Sequence, residues 1–289
     1  YDAMVAFHMD HGAALTMATI TVPMAEASRF GVVGVRDDYT VSSFVEKPVD
    51  PPSNLANMGV YLFDTTVLNR ALWEDHQSHD SSHDFGKDIL PRLIRQSERV
   101  LAYPYSGYWV DVGTIESYWQ AHMDLLQEKP SIDLNDRSWI IHTRTEERPP
   151  VRISRDAVVV DSMISDGCVV ARGARIERSV LSPGVVVRPG AIVRESILLT
   201  DTIVESGAVL ERSIVDKQVV IGENSRVGNM DASGRLNSLT MIGKKSVIPR
   251  DLIVEAGAMI GTDVCESDYP SDLVRGDDYI QTQRQAYEV

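Results

Sequence analysis

The sequence predicts two domains of different class: an α/β layered domain followed by a parallel β-helix. Three observations carry this. Aliphatic residues in the second half recur at a six-residue spacing. Strand and helix patterns alternate over residues 1–128. A stretch containing Pro130, Pro149 and Pro150, residues 129–150, reads as a linker between the two. With 289 residues the chain has room for both domains.

The period is the strongest signal. Val158, Ile164, Val170, Ile176, Leu181, Val187, Val193, Leu199, Val204, Leu210, Val215, Ile221 and Val227 form a ladder in which nine of the twelve steps are six residues and three are five. The spacing returns at Ile242, Ile248, Val254 and Ile260. An amphipathic helix repeats at about 3.6 residues and a half-buried strand at about 2, so a period of six fits neither. It matches a β-helix, whose flat sides take about six residues each, three to a coil of roughly 18, so that the ladder to Val227 makes about four coils. The corners carry turn formers: Asp166-Gly167, Ser182-Pro183-Gly184, Arg188-Pro189-Gly190, Ser206-Gly207 and Gly222-Glu223-Asn224. A sandwich of short strands is the alternative, but it has no reason to hold one register so long. The β-helix is assigned to residues 151–265. Gly228 to Leu239 breaks the period and is expected to protrude as a loop. Residues 266–289 are polar and are expected to cap the last coil as a helix, hiding an open β edge.

In the first domain, Tyr1 to His11 reads as a helix ended by Gly12. Ala14 to Val22 is a buried strand. Gly31–Val35 and Val41–Glu46 suggest a hairpin, and Asn57–Phe63 another strand. Thr65–Trp73 and Gly86–Arg95 are helical, Val100–Pro104 is a strand, and Thr114–Leu126 is a helix. Strands alternating with helices argue for α/β layering.

Composition narrows the function. The net charge of −14 argues against a nucleic-acid or anionic-membrane partner, since both need a basic footprint. No run of about 18 apolar residues suggests a membrane span, and no signal peptide is visible. Cys168 and Cys265 form no metal-like pair and read as free buried thiols of a reducing, cytoplasmic compartment. The chain opens at Tyr1, within a helical pattern, and reads as a fragment or a trimmed chain whose domain began upstream.

Four stretches of the first domain carry candidate chemistry. In Glu26-Ala27-Ser28-Arg29-Phe30-Gly31, the glycine would let a backbone approach a ligand. In Phe44-Val45-Glu46-Lys47-Pro48, the lysine can pair with a phosphate as a point charge, and the glutamate can accept from sugar hydroxyls. Asn57-Met58-Gly59-Val60-Tyr61 brings a polar group into a strand. In Tyr108-Trp109-Val110-Asp111-Val112-Gly113-Thr114, Asp111 sits where a carboxylate could meet Mg²⁺. Each has a plainer reading. Glu46 and Lys47 could be a solvated pair, Trp109 core, Asp111 the cap of the following helix, and Gly31 a turn. Spacing alone does not decide.

The four stretches in this order, followed by a β-helix, resemble the sugar nucleotidyltransferases, and among them the glucose-1-phosphate adenylyltransferases. His83-Asp84-Phe85-Gly86-Lys87-Asp88-Ile89-Leu90-Pro91 and Tyr118-Trp119 complete the pattern, which spans nearly the whole chain. The resemblance implies a truncated Rossmann-like catalytic domain and a left-handed β-helix. It implies that Lys47 binds the phosphate of glucose 1-phosphate, Glu46 holds glucose hydroxyls, Gly31 lines the sugar site, Trp109 shapes it, and Asp111 is a ligand of Mg²⁺. Asn57 stands where the family usually has a serine touching the sugar. The family's Gly-rich nucleotide loop and its first metal-binding Asp are not in these 289 residues, so the chain by itself is expected not to turn over. The reaction implied is attack of the sugar phosphate on the α-phosphorus of ATP, giving ADP-glucose for glycogen or starch synthesis and releasing pyrophosphate.

A regulatory paralogue without activity and a transferase for another sugar 1-phosphate are the rival readings. An acyltransferase would need a histidine base on or beside the coils, and no His lies from Val151 onward. The resemblance also implies a homotetramer with β-helix contacts and regulation by an anionic effector. Arg152, Arg155, Arg172, Arg175 and Arg178 could bind such an effector, or be scattered surface arginines.

Overall fold

The computed structural model describes residues 1–143, 146–229 and 238–283. The chain divides into two compact units, Tyr1–Trp109 and Val110–Val289.

The first unit is a five-stranded mixed sheet with helices. Helix α1 (Asp2–Asp10) leads into β1 (Leu15–Thr21). The hairpin β2 (Gly31–Val35) and β3 (Val41–Glu46) follows, then β4 (Leu55–Phe63), α2 (Thr65–His76), α3 (Leu90–Arg95) and β5 (Val100–Pro104). The sheet order is β3-β2-β4-β1-β5, with β1 and β5 parallel and the other neighbours antiparallel. Strand β1 has neighbours on both sides and its first five residues are buried. That is why it reads as an unbroken apolar run. The core of this unit gathers Leu15, Met17, Val33, Leu90, Leu93 and Val100. Asp64 caps α2 by accepting from the Thr66 and Val67 amides at 2.9 and 3.2 Å. The helix expected over Gly86–Arg95 is present, as a π-turn at Phe85–Ile89 running into α3. Pro91 has no N–H to return to the Lys87 carbonyl, so the turn before it widens.

The second unit is a β-helix of three parallel sheets with seven, seven and six strands. Along one sheet Val158, Arg175, Ile192, Val209 and Arg226 are paired in turn, so these coils contain 17 residues and not 18. The coil from Met241 to Met259 contains 18. The shorter period has a local cause. At one corner of each 17-residue coil a non-glycine residue is left-handed: Arg178 at φ 45°, Glu195 at 45° and Arg212 at 43°. The serine after it completes a ladder. The Ser196 hydroxyl donates to the Arg194 carbonyl at 2.6 Å and accepts from the Ser213 amide of the next coil at 3.1 Å. Ser179 does the same for Glu177 and Ser196.

This corner corrects the ladder at two rungs. The five-residue step recurs in every such coil, so Val159 and Leu198 point inward rather than Val158 and Leu199. Leu198 is fully buried in the β-helix core and Val159 packs against it, while Val158 is exposed. Both rungs have adjacent aliphatics, and a slip of one residue there turns the side chain to the other face.

The segment from Glu266 is not a helical cap. A 3₁₀ turn at Glu266–Asp268 is followed by strands Leu273–Val274 and Tyr279–Ile280, which extend two of the sheets. Residues 284–289 lie outside the described residues, as do residues 230–237 of the expected loop. Cys168 is buried and its thiol is pushed up by that burial, whereas Cys265 is only half-buried, against the expectation for both.

Helix α4 (Ile115–Asp124) packs within this second compact unit, which begins at Val110. Its Trp119 packs with Ile197, Ile214 and Leu239, the first two being outward residues of the coils. Trp119 Nε1 donates to the Glu195 carbonyl at 2.7 Å, and the Arg212 guanidinium lies 4.4 Å from its ring centroid. The linker is tied to the same unit. Pro149 O accepts from the Gly167 amide at 2.6 Å, and Arg148 grips Asp201 through both carboxylate oxygens at 2.6 and 3.1 Å.

Candidate functional site

In the first unit the hairpin pairs Gly31 with Glu46 across its last rung. A Cβ on Gly31 would lie 2.6 Å from Phe44 Cζ and 2.7 Å from Glu46 Oε2. Gly31 is therefore required first by its own neighbours, and its small size is what admits the Glu46 carboxylate. The same oxygen would meet a Cβ on Gly86 at 2.9 Å. Two glycines from distant stretches thus frame one carboxylate. Lys47 follows at φ 44°, an uncommon left-handed conformation for a side chain of its size. Its amide continues the ladder to the Phe30 carbonyl at 3.1 Å, and its Nζ stands 4.0 Å from Glu46 Oε1 with two thirds of the side chain exposed. The pair is adjacent but not closed, so both groups are open to a ligand.

Asn57 is engaged within its own strand. Its Nδ2 donates to the Tyr61 hydroxyl at 2.7 Å, and its Oδ1 accepts from the Gly59 amide at 3.2 Å. Burial pushes the Tyr61 phenol above its ordinary value, and the nearby Glu46 and Asp84 carboxylates add to this. Phe85 stacks on Tyr61 with centroids 5.9 Å apart and planes at 12°. Trp109 meets Phe30 at 5.6 Å, half-buried at the edge of the unit.

The structure thus gathers Gly31, Glu46 and Lys47 with Gly86, and sets Asn57 beside Tyr61. Tyr61, Asp84, Phe85 and Gly86 were not assigned roles from the sequence. Their contacts join β4 and β3 to a turn 24 to 40 residues on, and no spacing rule exposes such a contact. The signal present was compositional: a glycine and an aromatic residue amid Ser, His and Asp.

Asp111 lies in the second unit and is exposed. It does not cap α4. Thr114 does, its hydroxyl accepting from the Ser117 amide at 3.1 Å while Ser117 Oγ accepts from the Thr114 amide at 3.2 Å. The plainer reading of Asp111 as a cap is thereby removed. Among the described residues no group of three or more His, Cys, Asp or Glu is arranged to hold a metal ion.

Three of the five arginines stand beside carboxylates. Arg175 pairs with Glu177, Arg178 with Glu195 at 3.5 Å, and Arg155 reaches Asp156 at 4.0 Å. A separate groove of about 590 Å³ runs along the coil corners, where Arg148, Lys217 and Lys244 stand with Glu146, Asp166 and Asp201. It is a polar groove remote in sequence from the candidate chemistry.

In comparison with known proteins, residues 1–128 match the nucleotidyl transferase family and residues 150–237 match the GlmU-like C-terminal hexapeptide family. The chain is 45% identical over 282 residues to the glucose-1-phosphate adenylyltransferase of Thermomicrobium roseum, covering 95% of this chain and 65% of that protein. It is 48% identical over 170 residues to the glucose-1-phosphate adenylyltransferase of Halalkalibacterium halodurans, covering 59% and 44%. With that of Geobacillus stearothermophilus it shares 46% over 170 residues, again 59% and 44%. The chain therefore spans less than two thirds of the length of these relatives.

Proposed function

We propose that this chain carries the sugar-phosphate half of a glucose-1-phosphate adenylyltransferase, which makes ADP-glucose and pyrophosphate from ATP and glucose 1-phosphate. The observation that carries the reading is Glu46 Oε2 framed by Gly31 and Gly86, with the Lys47 ammonium exposed beside it. A carboxylate in that position accepts from vicinal sugar hydroxyls, and the lysine neutralises the sugar's phosphate. Phe85 and Tyr61 offer an apolar wall, and Trp109 shapes the rim. Asn57 acts through Tyr61, because both ends of its amide are taken up by its own strand.

The chemistry asked of these groups is positioning. A phosphate oxygen of the sugar phosphate attacks the α-phosphorus of ATP in line, the bond to the β-phosphate oxygen breaks, and pyrophosphate leaves. No covalent enzyme intermediate is needed. Asp111 fits as one ligand of Mg²⁺, an ion commonly held by one or two carboxylates plus substrate phosphates, and so in need of no preformed cage. When bound, Mg²⁺ would neutralise charge on the transferring phosphate.

A small anionic effector is part of the same proposal, with no site assigned to it. A homotetramer and a cytoplasmic setting complete the proposal; among the described residues no helix is long and apolar enough to cross a membrane. The test of function is pyrophosphate release by the enzyme containing this chain, with glucose 1-phosphate, Mg²⁺ and each nucleoside triphosphate in turn. A strong preference for ATP is expected. Preference for another nucleotide would move the reading to a sister transferase, and silence with all four would favour a regulatory subunit.

A further inference from the structure

The stretch from Ser81 to Asp88 enters the site through Phe85 and Gly86, and two carboxylates hold its shape. Asp75, on α2, is 3% exposed. It accepts from Ser81 Oγ at 2.6 Å, pairs with His83 Nδ1 at 2.8 Å, and accepts from Arg92 Nη2 at 3.1 Å. Asp88, in the π-turn, accepts at one oxygen from Ser82 Oγ at 2.6 Å, the Ser82 amide at 3.2 Å and the Asp84 amide at 3.1 Å. Successive residues are thus gripped from opposite ends: Ser81 and His83 by Asp75, Ser82 and Asp84 by Asp88. His83 is itself left-handed at φ 58°. A non-glycine residue holds that conformation only where its surroundings dictate it.

The output of this double grip is the placement of the next two residues. Phe85 is laid parallel on Tyr61, and Gly86 is set so close to Glu46 Oε2 that a Cβ there would meet it at 2.9 Å. Neither Asp75 nor Asp88 has an oxygen assigned to a ligand in the proposed reaction. A buried carboxylate fully engaged by three donors, one of them a histidine on an otherwise exposed loop, is more than a solvated surface charge requires.

We propose that Asp75, with Asp88, is a positioning residue for sugar recognition. It fixes the Ser81–Asp84 turn so that Phe85 and Gly86 confine the Glu46 carboxylate to the sugar hydroxyls. The phosphate contact at Lys47 is independent of it, because Lys47 is placed by the β2–β3 hairpin. This rests on the sugar-phosphate reading of the site. It predicts a split: loosening the turn weakens the sugar and spares the phosphate.

The experiment is calorimetric titration of the whole chain with two probes, glucose 1-phosphate and inorganic phosphate. Asp75→Asn should weaken glucose 1-phosphate about tenfold, as expected for displacement of a positioned group by less than an ångström, while the affinity for phosphate stays within about twofold. Ser81→Ala is the gentler variant, in case Asp75→Asn fails to fold, and should shift the sugar phosphate in the same direction by about threefold. Equal weakening of both probes would make Asp75 a structural residue only and overturn the proposal, as would unchanged glucose 1-phosphate binding in either folded variant. If the unsubstituted chain binds phosphate but shows no preference for the sugar phosphate, the sugar-site reading itself fails, and the proposal with it.

Discussion

The β-helix and the α/β unit solve opposite problems with similar materials. In the β-helix one local solution is repeated: an inward aliphatic, a left-handed corner and a serine that ties its own coil to the next, returning every 17 residues. Neighbouring coils make the same contacts, so stability is spread along the stack. In the α/β unit nothing repeats. Gly31, Glu46, Asp75 and Gly86 each have one partner set, drawn from separate stretches. A repeated contact can be read from one chain by its period. A single contact leaves no period, even where it holds the chemistry.

Helix α4 is the sharpest place to test the comparison, because it lies within the residues of the nucleotidyl transferase match yet packs on the coils. Trp119→Ala should cost about 3–5 kcal/mol, the usual range for deleting a large buried aromatic, and should leave the sheet core of the first unit unaffected. Denaturant unfolding followed by hydrogen exchange would check it; loss of protection confined to the first unit would break the assignment of α4 to the β-helix. Next in size, Ser196→Ala should cost about 1–3 kcal/mol, because it strands the buried Ser213 amide of the next coil, whereas the Arg194 carbonyl keeps the Arg212 amide. A cost near zero would show that the ladder is decoration and that the 17-residue period has another cause.

In the first unit the effects change sign with position. Lys47→Gly should raise thermal stability by about 1 kcal/mol, since glycine accepts the left-handed conformation that lysine resists, while removing the ammonium. A loss of stability would mean that Lys47 is held by its packing and not by function. The smallest effect is on pH dependence. The Asp75 carboxyl is held below its ordinary value by the Ser81 hydroxyl first, and then by His83 and Arg92. A carboxyl depressed in the folded state contributes stability above its unfolded value and loses it as pH falls through the folded one. Acid titration of unfolding should therefore show a decline beginning near pH ~4, and Asp75→Asn should flatten it. An unchanged slope would remove Asp75 from the account of acid stability.

What could be read from the sequence follows the same division. Strands β2 and β3 carry the predicted boundaries because breakers flank each element. The β-helix was legible as a class, but its register slipped at Val158 and Leu199, where two adjacent aliphatics leave the period ambiguous. The terminal segment from Glu266 was misread as helical because its two short strands gain their pairing only from coils already formed. Glu46 and Lys47 stood out as charged residues at the end of a strand, but only the resemblance set a ligand role above a solvated pair. Asp75 was not, since its burial under Ser81 and His83 is a tertiary fact. Asp111 was ambiguous between ligand and cap, and Thr114 and Ser117 remove only the cap by forming it themselves.

The proposed recognition of a glucose phosphate rests on the Glu46–Lys47 pair of the α/β unit. Calorimetric titration of the chain with glucose 1-phosphate, in parallel with Lys47→Ala, tests this most directly. The account predicts saturable one-site binding that the substitution weakens by at least about tenfold, the scale of one lost charge-assisted contact. Binding of equal strength in Lys47→Ala would contradict it.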